Sequence, residues 1–144
     1  MPVDALPVEF LFTMTAHTGD HPPVVLAGGP GGTRVVVTAM RGIFEGPRLR
    51  GTIAAAAGGD WVTVRADGSM KLDVRLVLRT DDGADILMTY CGIGTRDPDG
   101  ATIVRAAPLF ETGDERYAWL NLVQAAAHGR AGEGSVTYDV YALT

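Results

Sequence analysis

Cysteine is almost missing from this chain. Cys91 stands alone, so no internal disulfide can form and nothing points to an oxidising compartment. Positive charge is scarce as well: 12 Lys and Arg against 17 Asp and Glu leave a formal net charge of -5. Nucleic-acid phosphates and anionic membranes both need a basic patch, and neither is an expected partner. No run reaches the roughly 20 apolar residues of a membrane span, and the opening MPVDALPVEF has neither a basic segment nor an apolar core of a secretory signal. A cytoplasmic address is the expectation. Helical periodicity is also lacking, as are internal repeats, linkers and low-complexity segments. With 144 residues, 47% of them hydrophobic, the chain predicts one domain, 1–144, with a single core.

What is present is alternation. From Gly58 to Tyr90 three stretches rich in Val, Leu, Ile and Trp are separated by Asp67-Gly68 and Asp82-Gly83. Glycine supplies the positive φ of a tight reversal and the Asp side chain bonds the backbone it has just turned, so this is a three-stranded antiparallel meander. Successive strand residues point to opposite sides. Trp61, Thr63 and Arg65 therefore share a face, as do Lys71, Asp73 and Arg75, while Val62, Val64, Leu72, Val74, Leu76 and Leu78 take the other. Further strands are expected at Pro7–Thr15, at Thr33–Met40 with Arg34 on one side, at Ala101–Ala107 and at Ser135–Leu143. Tyr117–Val123 is expected to be a strand that puts Tyr117, Trp119 and Asn121 on one side, and Ala125–Ala127 leaves helix and strand open. His17–Gly32 predicts a loop in which Val24–Ala27 is a short extended piece. Regular strand spacing without helix predicts an all-β fold. Few lysines are available to protect sheet edges, which favours closure into a single antiparallel up-and-down-type β-barrel.

The motifs GTR at Gly32–Arg34, GxxxGPxLxG at Gly42–Gly51, GGDW at Gly58–Trp61, ADG at Ala66–Gly68, LDVR at Leu72–Arg75, DDGA at Asp81–Ala84, FET at Phe110–Thr112 and YAWLN at Tyr117–Asn121 come in an order that resembles the UPF0311 family, domain-of-unknown-function family 3237. The resemblance covers nearly the whole chain. It implies an antiparallel β-barrel of small bacterial and fungal proteins, mostly without an assigned activity. Nothing is carried over to residues 17–32 or to the glycine-rich tail around Gly129.

AGGPGGTR at Ala27–Arg34 has clustered glycines, but a β-branched strand follows and the Gly-Lys-Ser/Thr of a phosphate loop is missing. His17 and His21, with Asp20 between, are spaced like metal ligands on a helix, yet Thr18-Gly19 and Pro22-Pro23 argue against a helix. No metal and no cofactor is expected. Cys91 is expected to be a small buried hydrophobe rather than a nucleophile, and no Gly-x-Ser-x-Gly elbow exists. The mixed face of the meander, joined to YAWLN, supplies the richer set: Arg34, Asp60, Trp61, Tyr90, Tyr117, Trp119 and Asn121 as ligand-binding residues.

The mixed face is either the solvent side or the barrel lumen. Two tryptophans and several tyrosines are costly to leave in water, and the lumen is the preferred assignment. The aliphatic face then needs covering, which predicts a homodimer or higher homo-oligomer. On that basis Asp73 or Glu111 is the acid/base and Arg75 stabilises an enolate-like oxyanion in an isomerase, lyase or cyclase acting on a small carbonyl-bearing or cyclic metabolite. A ligand-binding or carrier barrel without turnover is the alternative, and an oligomeric structural protein without ligand a third class.

Overall fold

A computed structural model describes all residues except 19, 20, 39 and 56. Among the described residues twelve strands follow in chain order: β1 (Val8–His17), β2 (Val24–Gly29), β3 (Gly32–Thr38), β4 (Arg41–Glu45), β5 (Arg50–Ile53), β6 (Gly59–Val64), β7 (Met70–Thr80), β8 (Asp85–Arg96), β9 (Thr102–Ala106), β10 (Leu109–Glu111), β11 (Ala125–Ala131) and β12 (Ser135–Leu143). The expected meander is β6-β7-β8. Its turns carry Gly68 at φ 83° and Gly83 at φ 94°, closed by bonds from Gly68 N–H to the Arg65 carbonyl (2.9 Å) and from Gly83 N–H to that of Thr80 (3.0 Å).

The sheet is wholly antiparallel and runs β10-β8-β9-β11-β12-β1-β4-β5-β7-β6-β3-β2, with β7 also pairing β8. That last pairing closes the ring β7-β8-β9-β11-β12-β1-β4-β5, so the barrel expectation holds. One edge of β7 is shared. Thr80, Arg79 and Leu78 pair with β5, whereas Arg75 to Met70 pair with β6. The strands β6, β3 and β2 therefore leave the ring as a wing beside one mouth.

Alternation decides the interior. Leu72, Val74, Leu76 and Leu78 of β7 and Ile86, Met88 and Tyr90 of β8 are all buried, together with Phe12, Met14, Phe44, Tyr138 and Val140. Phe12 sits edge-on to Phe44 and Phe110, with centroids 5.5 and 6.0 Å apart. The aliphatic face is thus the lumen and the mixed face looks outward, the reverse of the sequence expectation. The barrel itself covers the aliphatic side, so the reason for invoking a second subunit lapses.

At the far end from the wing, the YAWLN segment is a 3-10 helix, Glu115–Leu122, and not a strand. It has no β-branched residue. Asp114 caps it, accepting the Arg116 N–H at 3.0 Å, and its buried side chains are Tyr117 and Leu120, spaced by three rather than two. Tyr117, Trp119 and Asn121 consequently do not share a face. Ala125–Ala127, left open by the sequence, is strand.

Candidate functional site

The wing and the ring together enclose a cavity of about 300 Å³ at the barrel mouth. Val62 of β6, Met70 and Leu72 of β7, Val104 of β9 and Val136 of β12 give it apolar walls. Into these walls are set one carboxyl and two phenols. Asp60 is carried by β6 opposite Val74, Tyr90 by β8 also opposite Val74, and Tyr138 by β12 opposite Gly129. All three occupy the inward parity of their strands, among Val, Leu, Ile and Met.

Asp60 is only 8% exposed. Burial raises its pKa from 3.8 to about 6; the Asp73 backbone N–H opposes the shift and the Asp73 charge adds to it. That N–H donates to Asp60 Oδ1 at 3.1 Å. Burial also pushes the Tyr90 hydroxyl well above the usual phenol range and that of Tyr138 to about 12, with the Asp60 charge contributing to both. The two rings meet edge to face, centroids 5.5 Å apart and planes at 66°. Despite that proximity the Tyr90 hydroxyl is buried without a hydrogen-bond partner of ordinary geometry. Such an orphan is uncommon, because an unsatisfied buried hydroxyl costs about 1–3 kcal/mol.

Of the residues expected from sequence, Asp60 and Tyr90 reach this cavity. Arg34, Trp61, Asp73, Lys71 and Cys91 line a depression of about 250 Å³ on the outside of the barrel. Asp73 is half-buried there, and Arg75 is exposed, its guanidinium 5.7 Å from the Trp61 ring centre. Placing Asp73, Arg75 and Glu111 in the lumen is therefore corrected by strand parity. Cys91 shares that outward parity and is exposed, not buried. Glu111 and Asn121 border another outer depression beside Leu87 and Leu109; the Asn121 amide is engaged with the Thr112 backbone at 2.8 and 2.9 Å. Trp119 stacks under Arg48, 3.6 Å from ring centre to guanidinium carbon. Tyr117 lies at the far end of the barrel and donates to Asp82 at 2.8 Å.

Sequence reasoning missed Tyr138. Its signal was there to use: Asp60, Tyr90 and Tyr138 each fall on the aliphatic parity, where a polar group needs a reason to be.

A larger depression of about 500 Å³ near Glu45, Arg48 and Asp82 is polar and open. Within it Arg50 pairs with Asp81 at 3.5 Å, Asp82 with Arg116 at 3.3 Å, and Arg48 with Glu9 at 3.7 Å. Among the described residues no cluster of three or more His, Cys, Asp or Glu is arranged for a metal. His17 ends β1, and Asp20, between it and His21, lies outside the described residues.

A family model described as "Protein of unknown function (DUF3237)" matches residues 6–143. The chain is 34% identical over 119 residues to the hydroalkoxylation enzyme phnH of Penicillium herquei, covering 82% of this chain and 70% of that one. To a UPF0311 protein of Rhodopseudomonas palustris it is 29% identical over 129 residues, 80% and 82% of the two chains. It superposes on the crystal structure of a beta-barrel like protein from Acinetobacter baumannii with a TM-score of 0.87 and 26% identity, over 99% of this chain and 100% of the other.

Proposed function

The chain belongs to the DUF3237 (UPF0311) family, and from that membership and the mouth cavity we propose a small-molecule enzyme that works by proton transfer without a cofactor. Its substrate is a small carbonyl-bearing or cyclic metabolite, and its reaction an isomerisation, elimination or ring closure. The observation that carries the proposal is Asp60, a carboxyl held near pKa 6 inside an apolar pocket. A group whose pKa lies near the working pH is present in both protonation states and can give or take a proton at little cost. Asp60 is the acid/base, and the Tyr90 hydroxyl holds the substrate oxygen on which charge develops. Tyr138 backs Tyr90 and keeps water from the ring pair.

The fungal relative is named for hydroalkoxylation, the addition of O–H across a carbon–carbon double bond. Within one molecule that reaction changes no composition: a proton leaves oxygen, a proton reaches carbon, and a C–O bond forms. One acid/base carboxyl in an apolar cavity is suited to such an exchange. The test begins with a compound retained by the purified protein and identified by mass spectrometry. Wild type is expected to convert it, and Asp60→Asn to bind it but turn it over about 100-fold or more slowly. Equal turnover by the two would remove Asp60 from the mechanism; retention without conversion by wild type would make the protein a carrier.

A further inference from the structure

The polar groups of the mouth cavity also define what charge its ligand carries, a step that rests on the cavity being the binding site. Among the described lining residues none is Lys, Arg or His, and Asp60 is the one acid. Arg130, on the neighbouring β11, is held by Asp97 and Asp99, each at 3.0 Å. An anionic ligand would lose its hydration against Val62, Leu72 and Val104, find no cation, and face the Asp60 carboxyl. While Asp60 is protonated, below about pH 6, a cationic ligand would have to drive its ionisation, which burial opposes, at a carboxyl whose Oδ1 already accepts the Asp73 N–H. An uncharged oxygen meets neither penalty. It would also give the Tyr90 hydroxyl, buried with only the Tyr138 hydroxyl near it, a hydrogen bond of ordinary geometry.

We propose that the mouth cavity selects uncharged ligands with a hydroxyl or carbonyl oxygen on an apolar body, that oxygen pairing with the Tyr90 hydroxyl. The apolar body lies against the aliphatic wall, where dispersion contacts are sequence-tolerant and the oxygen alone fixes orientation. Discrimination is then by charge first and by the single hydrogen bond second.

Three probes sharing one naphthalene body test this by calorimetry at about pH 5, where Asp60 is protonated: 2-naphthol, 2-naphthoate and 2-naphthylmethylammonium. Wild type is expected to bind naphthol at least about tenfold more tightly than either ion, and Tyr90→Phe to weaken naphthol about tenfold, the worth of one hydrogen bond, without changing the ions. Naphthalene itself on the wild-type protein should match the loss seen in the variant, which keeps the test open if Tyr90→Phe does not fold. Tighter binding of either ion, naphthol no better than naphthalene, or no binding by any probe overturns the proposal. Charge selection without conversion of a retained compound would instead uphold the ligand class and remove only the catalytic reading.

Discussion

The two ends of the barrel each hold an aspartate and a tyrosine on facing elements, and the pairs are in opposite states. At the far end Asp82 accepts from Thr80 at 2.5 Å and from Tyr117 at 2.8 and 2.9 Å, with Arg116 at 3.3 Å. The Thr80 and Tyr117 hydrogen bonds hold its carboxyl below the usual range. At the mouth Asp60 has one backbone N–H, Tyr90 has no hydrogen-bond partner of ordinary geometry, and burial drives the carboxyl the other way. The far end is a satisfied network in a solvated corner; the mouth is an unsatisfied one in an apolar wall. Groups that only stabilise a fold are expected to look like the first. A site awaiting a ligand oxygen looks like the second.

The largest expected effect that tests this contrast is the pH dependence of stability. Asp60 has a folded pKa near 6 against an ordinary 3.8, so between those values the native state binds more protons than the unfolded one. Stability then falls as pH rises through that window, and above it the native state carries a cost of about 2–3 kcal/mol. Asp60→Asn should remove the cost, melting higher than wild type at pH above 6 and nearly with it at low pH. Asp82 has the reverse sign, its stabilisation present at neutral pH and lost on acidification, so Asp82→Asn should melt lower than wild type at neutral pH. Denaturant titrations of both variants across pH would measure this; an Asp60→Asn protein less stable than wild type at pH 8 would abolish the distinction between the ends.

Next in size is the support behind Tyr138. A Cβ on Gly129 would lie 2.6 Å from two carbons of the Tyr138 ring, so the ring occupies the space a side chain would fill. Gly129 is absent from the positive-φ glycines, and its backbone accepts alanine; only the ring forbids it. Gly129→Ala should cost about 1–3 kcal/mol by overpacking, displace the Tyr90–Tyr138 pair, and shift the alkaline absorbance titration of the tyrosines. Adding Tyr138→Ala should make the two changes non-additive. Additive losses with an unchanged tyrosine titration would mean that Gly129 does not position the ring.

Much of this was legible in the alternation. The Asp-Gly turns located β6-β7-β8, and parity sorted Trp61, Asp73 and Arg75 from Val62, Leu72 and Val74. Parity does not say which set is inside. That depends on ring closure through β1–β12, β1–β4 and β5–β7, pairings between distant segments that carry no local signature. The 3-10 helix escaped because Tyr117 and Leu120 fit a spacing of three as well as a short alternation does. The site residues were partly visible: Asp60 and Tyr90 were among the candidates, though chosen for chemistry rather than for their place on the aliphatic parity. Applied consistently, that rule selects Tyr138 too and leaves out Asp73, Arg75 and Glu111.

The smallest predicted effect concerns Asp73, which faces outward behind the site. Its contact with the mouth is through the backbone, since its N–H donates to Asp60 Oδ1 at 3.1 Å, and a side-chain substitution leaves that bond in place. Burial is the main cause of the raised Asp60 pKa, and the Asp73 charge adds a lesser upward push. Asp73→Asn removes that push. The ionisation of Asp60, followed by the carboxyl resonance in carbon-13 spectra, should move to lower pH while remaining above the ordinary value. Thermal stability should change little, because a half-exposed surface charge is worth roughly 0–1 kcal/mol. The direction is what matters here: neutralising one acid must make its neighbour easier to ionise if the two interact as charges across the sheet. An Asp60 ionisation unmoved by the change would show that burial alone sets it. A loss of ligand binding as large as that of Tyr90→Phe would put Asp73 inside the site after all, and the outward face would need a role of its own.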